Sequence, residues 1–94
     1  MNLCFLSGKI VSNITFKFII NSKNNSIVYF NVQLNNGTII KIIGYNEVAD
    51  YCFRNLKKKD DVFIEGFLDS NYVVIVASIL ISNFFAIKTK KMKK

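Results

Sequence analysis

The chain has 94 residues, 51% of them hydrophobic, with 13 basic and 6 acidic side chains and a formal net charge of +7. That length suits one domain with a single core, burying roughly two-thirds of the unfolded surface. With no histidine and only Cys4 and Cys52, the sequence excludes Ser-His and Cys-His nucleophilic pairs, a zinc site and a disulfide framework.

The charge is unevenly spread. Lys88, Lys90, Lys91, Lys93 and Lys94 hold five of the thirteen positive charges, so residues 1–87 carry eight basic against six acidic groups, a net of +2. The expected layout is one nearly neutral domain over 1–87 and a disordered basic tail over 88–94, which either binds polyanions or serves solubility. No charged segment followed by a long apolar run opens the chain, so a secreted protein is not expected. The abundance of Ile, Asn, Lys and Phe, with no Pro or Trp, looks like the product of an A+T-rich coding genome, which makes a plastid or a bacterial cytoplasm the expected compartment.

Asn2 to Val11 reads as a first strand, with Leu6 and Ile10 inward and Gly8 where a barrel strand must bend. Ser12-Asn13 interrupts it, and Thr15 to Ile20 continues it, with Lys17 facing away from Phe16 and Phe18. After the polar loop Asn21 to Ser26, Ile27 to Leu34 alternates cleanly. Val28, Phe30, Val32 and Leu34 share one face; Tyr29, Asn31 and Gln33 share the other. Asn35-Asn36-Gly37 predicts a tight, two-residue hairpin turn, since Asn and Gly accept positive φ.

Ile39, Ile40, Ile42 and Ile43 form a β-branched third strand, and Gly44 permits a change of direction. Asn46 is the predicted N-cap of a helix, with Glu47 near its positive end. Val48, Ala49, Cys52, Phe53 and Leu56 make its apolar stripe, and Lys57, Lys58 and Lys59 suit its negative end. Cys4 and Cys52 are expected to be buried, reduced thiols. Asp60-Asp61 begins a turn into a fourth strand, in which Val62, Ile64 and Leu68 alternate with Phe63, Glu65 and Phe67. Asp69-Ser70-Asn71 is a short turn. Tyr72 to Ile81 is a fifth strand, apolar on both faces, so that one face closes the core and the other meets something else. The run from Tyr72 to Ile87 precedes lysines as a membrane anchor would, but its sixteen residues include Ser78, Ser82 and Asn83. Spanning needs roughly 20 apolar residues, so no membrane partner is expected.

A lone helix between the third and fourth strands of a small all-β chain is the organisation of an OB-fold, a five-stranded Greek-key barrel with one α-helix. The stretch IKIIGYNEVADYCFRNLKKKDDVFIEG resembles the middle of the bacterial-type single-stranded DNA-binding protein family, and NLCFLSGKI is similar to that family's first strand. The resemblance runs from residue 2 to about residue 82. It implies non-catalytic binding of single-stranded DNA, with RNA as the alternative ligand, in replication, repair or recombination. It also implies assembly as a homodimer or homotetramer, contact with replication proteins and no cofactor. Among the relatives that fit are short proteins encoded in algal plastid genomes. The chain departs from the family in several places. Ile43 stands where the family has a Phe, Gly37 falls near a family Trp, and Tyr72 is the nearest equivalent of another Trp. KTKKMKK replaces the acidic tip that recruits other proteins. These departures also suit a primosome-type accessory protein, or an OB barrel that serves only as an assembly module.

Binding a single strand requires positive charge beside aromatic faces on which bases stack. The candidates are Lys9, Lys17 and Lys41 for phosphates, with Tyr29, Phe63, Phe67 and Tyr72 for bases. Each ring has an alternative use, packing at a barrel end or against a second subunit. The six carboxylates lie mostly on the helix or in turns, where capping and solubility account for them, and no catalytic constellation is expected.

Overall fold

A computed structural model describes residues 2–20, 25–70 and 73–81. Six strands and one helix follow in order: β1 (Asn2–Ile10), β2 (Thr15–Phe18), β3 (Ser26–Gln33), β4 (Ile39–Tyr45), α1 (Glu47–Asn55), β5 (Asp61–Ser70) and β6 (Val73–Ile81). β1 and β2 are the two halves of the expected first strand. β3 lies against both, pairing Thr15↔Tyr29 through Phe18↔Ser26 with β2, and Lys9↔Gln33 and Ile10↔Val32 with β1. The pairing slips by two residues between these halves, so residues 11–14 bulge out, as the Ser12-Asn13 interruption anticipates. Local hydrogen bonds satisfy the backbone there: the Asn31 N–H donates to Ser12 Oγ at 2.8 Å, and the Val11 N–H donates to the Asn31 carbonyl at 2.9 Å.

The sheet order is β1-β5-β6-β4-β3, closed by β3 returning to β1, with β2 overhanging on β3. Only the β4–β6 pairing is parallel; the others are antiparallel. This is the closed five-stranded OB barrel that the sequence predicts, with the helix between its third and fourth strands. Period-two alternation fills it. Ile10, Val28, Phe30, Val32, Ile42, Val62, Ile64, Val74 and Val76 all point inward and are buried. The helix seals one end by inserting Ala49, Cys52 and Leu56. No helix among the described residues is long and apolar enough to cross a membrane.

Five local expectations need correction, the first at Cys4, which is half-buried on β1 where burial was expected. Asn46 stands at the N-cap position, with φ 55 and ψ −116, but makes no side-chain cap bond. Its Oδ1 instead accepts the Asn25 N–H at 2.6 Å, and its own N–H donates to the Ser26 carbonyl, which ties the helix start to the β3 entry. The β3–β4 hairpin has a three-residue loop, not a two-residue one. The Leu34 N–H donates to the Thr38 carbonyl, the Gly37 N–H donates to the Leu34 carbonyl, and only Gly37 takes positive φ, at 90°. Leu68 is exposed because it pairs with Asn2 at the barrel rim, beyond the core and next to a bulge. Phe53, expected in the buried stripe, lies on its edge and is largely exposed. Tyr72 and the tail over 88–94 fall outside the described residues.

Barrel closure is thin, resting on two paired positions between β1 and β3. Gly8 lies at this seam: a Cβ there would meet the Gln33 carbonyl oxygen and approach Val32 Cγ1 to 2.6 Å. Gly8→Ala is therefore expected to destabilise the fold by about 1–3 kcal/mol, lowering Tm by roughly 5–20 °C for a domain of this size. Calorimetry checks it, and an unchanged Tm would show that the seam relaxes freely. Burial pushes the Cys52 thiol from an ordinary 9.0 up to about 12. At pH 8 its thiolate fraction is then on the order of 10⁻⁴, so thiol reagents should modify Cys52 only after unfolding. Peptide mapping of protein labelled in the native state would show the opposite if the site were open.

Candidate nucleic-acid interface

The outward side of β3 presents Ile27, Tyr29, Asn31 and Gln33, the residues left over when Val28, Phe30 and Val32 turn inward. Register decides their neighbours. Tyr29 stands opposite Thr15 on β2 and Ile43 on β4, while Lys17 is opposite Ile27 and Lys41 opposite Asn31. Both lysines therefore reach Tyr29 diagonally, from either side, with Nζ at 5.8 Å (Lys17) and 5.1 Å (Lys41) from the ring centroid. Neither forms an ion pair among the described residues. Ser12, Asn13 and Thr15 complete a polar depression beside the ring, which Asn31 and Lys41 also line.

A lysine resting over a ring at an exposed position contributes about 0.5–1 kcal/mol. A stacked base contributes about 1–3 kcal/mol. A base can therefore displace either ammonium from Tyr29, and the displaced ammonium remains next to it, free to meet a phosphate. The arrangement supplies the two things a single strand needs within one side-chain length.

The other candidates lie apart from this cluster. Lys9 sits at the barrel seam, where Nζ pairs with Asp61 Oδ1 at 3.2 Å and donates to the Lys59 carbonyl at 3.4 Å. Its charge is already partly answered. Phe63 and Phe67 lie on the outward side of β5, on either side of Glu65, whose carboxylate accepts a bond from Ser78 Oγ at 3.1 Å. Phe63 lines the same depression as Lys9, near Gln33. Phe67 lies three strands round from Tyr29, along the row Tyr29, Ile43, Ile75, Phe67. The structure thus brings together Lys17, Tyr29 and Lys41, and leaves Lys9, Phe63 and Phe67 elsewhere.

Sequence reasoning missed two groups. Thr15 and Asn31 flank the ring, but only pairing register brings them there. Phe16, Phe18 and Phe53 form a connected set of rings on the other side of β2. The alternation of Phe16 and Phe18 around Lys17 was a signal for part of it. Among the described residues no cluster of His, Cys, Asp or Glu is placed to hold a metal ion.

No protein-family model matches the sequence, and no curated protein matches it. Solved structures do. The single-stranded DNA-binding domain of a Synechococcus sp. protein superposes with a TM-score of 0.72 at 20% identity, covering 84% of this chain and 93% of that one. The small single-stranded DNA-binding protein of Streptomyces coelicolor gives 0.76 at 14% identity, covering 87% and 95%. A mitochondrial single-stranded DNA-binding protein of S. cerevisiae gives 0.71 at 17%, covering 85% and 92%. At these identities the shared property is the chain path, and the barrel described above is the OB-fold of the single-stranded DNA-binding proteins.

Proposed function

We propose that this protein binds single-stranded DNA without catalysis, through the outward face of β2, β3 and β4. The observation that carries the reading is the Tyr29 ring flanked by two lysines that have no acidic partner among the described residues. In this reading Lys17 and Lys41 take phosphates, Tyr29 stacks a base, and Thr15 and Asn31 offer hydrogen bonds beside it. Backbone charge and a ring face carry little sequence information, so binding is salt-sensitive with little base preference. The fold shared with single-stranded DNA-binding proteins supports the same ligand class. Replication, repair and recombination, where single strands are exposed, are the settings such binding serves.

A second feature favours assembly with further copies. Leu3, Phe5, Phe63 and Phe67 face outward together on β1 and β5, and Phe5 is 73% exposed. A contiguous apolar face of this kind marks an interaction surface. In our reading it joins protomers into a homodimer or homotetramer, which also multiplies the strand-binding faces available to one DNA molecule.

Two experiments test these readings. Anisotropy titrations of a labelled poly-dT oligonucleotide at several salt concentrations should show single-strand binding with duplex as a poor competitor, and an oligo-U arm compares RNA. Each phosphate contact adds about 0.7 to the slope of log K against log salt, so the double variant Lys17→Gln/Lys41→Gln should lose about 1.4 of that slope. An unchanged slope, or binding that vanishes with residues 88–94, would move the site off the barrel. Sedimentation of Phe5→Ser should shift the protein toward monomer with its Tm maintained; a wild-type protein that is monomeric at every concentration would refute the assembly reading.

A further inference from the structure

We propose that the ring set Phe18, Phe16 and Phe53 is a second base-stacking platform, on the opposite side of β2 from Tyr29, taking the continuation of the same single strand. This deepens the function proposed above and rests on it.

β2 is a four-residue strand that, among the described residues, pairs with β3 alone, which leaves its other edge unpaired there. Alternation places Lys17 on the Tyr29 side and Phe16 and Phe18 on the other. Phe16 is the hub. Its ring lies 5.1 Å from Phe18 at 88°, edge to face, and 4.9 Å from Phe53 of α1 at 33°. The two outer rings are open, Phe18 at 80% and Phe53 at 55% exposure, while Phe16 is half-buried between them. Anchoring the outer rings to a partly buried hub holds their faces outward without burying them.

Charge selects the occupant. Lys17, between the two phenylalanines in sequence but turned to the Tyr29 side, forms no ion pair among the described residues. Two helix carboxylates share a depression with Ser26, the partner of Phe18: Asp50 is answered by Arg54 Nε at 3.0 Å, and Glu47 stands beside it. A ligand with flat apolar faces on a polyanionic backbone suits two ring faces with a lysine at the strand between them; an uncharged apolar peptide uses the rings alone. Continuity points the same way. One OB barrel occupies about 4–16 nucleotides, more than Tyr29 and Tyr45, the two tyrosines on the outward face of β3 and β4, can stack. A strand leaving Tyr29 past Lys17 meets Phe18 once it rounds the edge of β2 that is not paired to β3.

The chain contains no tryptophan, so Phe18→Trp and Tyr29→Trp each place one fluorescent reporter against a dark background. Oligo-dT of about 5 and about 15 nucleotides spans the range of OB-barrel site sizes. The longer oligonucleotide should quench both reporters, and the shorter one should quench Tyr29→Trp much more strongly. Phe18→Ala, at an exposed position, should keep the wild-type Tm while weakening the longer oligonucleotide by about 5-fold or more and leaving the shorter one unchanged. Quenching of Tyr29→Trp with none of Phe18→Trp would overturn the platform and leave the proposed function intact. Emission of Phe18→Trp that shifts with protein concentration alone, without quenching by DNA, would assign the rings to a protein contact and equally overturn it. If neither reporter responds to DNA, the underlying single-strand reading fails and the platform with it.

Discussion

The broken first strand is the constraint on which the rest of the structure depends. One strand, β3, must pair along its length with two segments whose registers differ by two residues. The bulge at residues 11–14 absorbs the difference, and Ser12 supplies the acceptor that β3 would otherwise lack opposite it. Without the break, a straight strand would have to choose. It could close the barrel through Lys9 and Ile10, or lie beside Tyr29 through Thr15, but not both. The fold gains its closed core and its overhanging β2 from the same four residues.

That division sorts the barrel's exterior into two sectors of different chemistry. On β2, β3 and β4 the outward positions carry Lys17, Tyr29, Asn31 and Lys41, with ring and charge in contact. On β1 and β5 they carry Leu3, Phe5, Phe63 and Phe67, with Glu65 held by Ser78 in their midst. Inside, both sectors rest on the same β-branched and aromatic core. Exposed apolar area on the second sector gains free energy only when covered, whereas two lysines with no ion pair among the described residues gain by meeting an anion. The sectors therefore favour different partners without competing for surface.

The inward half of this architecture was legible in the sequence, and the outward half largely was not. Val28, Phe30, Val32, Val62 and Ile64 declare their side by alternation alone, because burial is a property of one strand at a time. Gly8 was readable as a bend, although its reason is the backbone of β3 arriving at the seam. Lys17, Tyr29 and Lys41 were each identifiable as outward residues. That they form one cluster depends on diagonals across three strands, and a shift of one residue in either pairing would part them. The misreadings have the same origin. Asn46 was assigned by its position before a helix, but the β3 entry at Asn25 offered its oxygen a better donor. Phe53 obeyed helical periodicity, yet Phe16 draws its ring to the outside of the stripe. Local rules fixed which elements form; contacts between elements distant in sequence fixed what these side chains do.

Ile43 shows why the aromatic surface sits where it does. The resemblance to single-stranded DNA-binding proteins sets a phenylalanine at this position, and here β4 offers an aliphatic side chain directly opposite Tyr29. A β-branched neighbour packs against the flank of a ring and restricts its tilt, but cannot stack a base. Tyr29 and, across Ile27, Tyr45 are then the rings of that face among the described residues, each worth about 1–3 kcal/mol per base, where a micromolar complex requires about 8 kcal/mol. Phosphate contacts must supply most of the remainder. Lysines alone would make the complex dissolve as salt rises, so stable binding demands either several protomers on one strand or more rings on each. In the readings proposed above, the apolar sector provides for the first and the rings beyond β2 for the second.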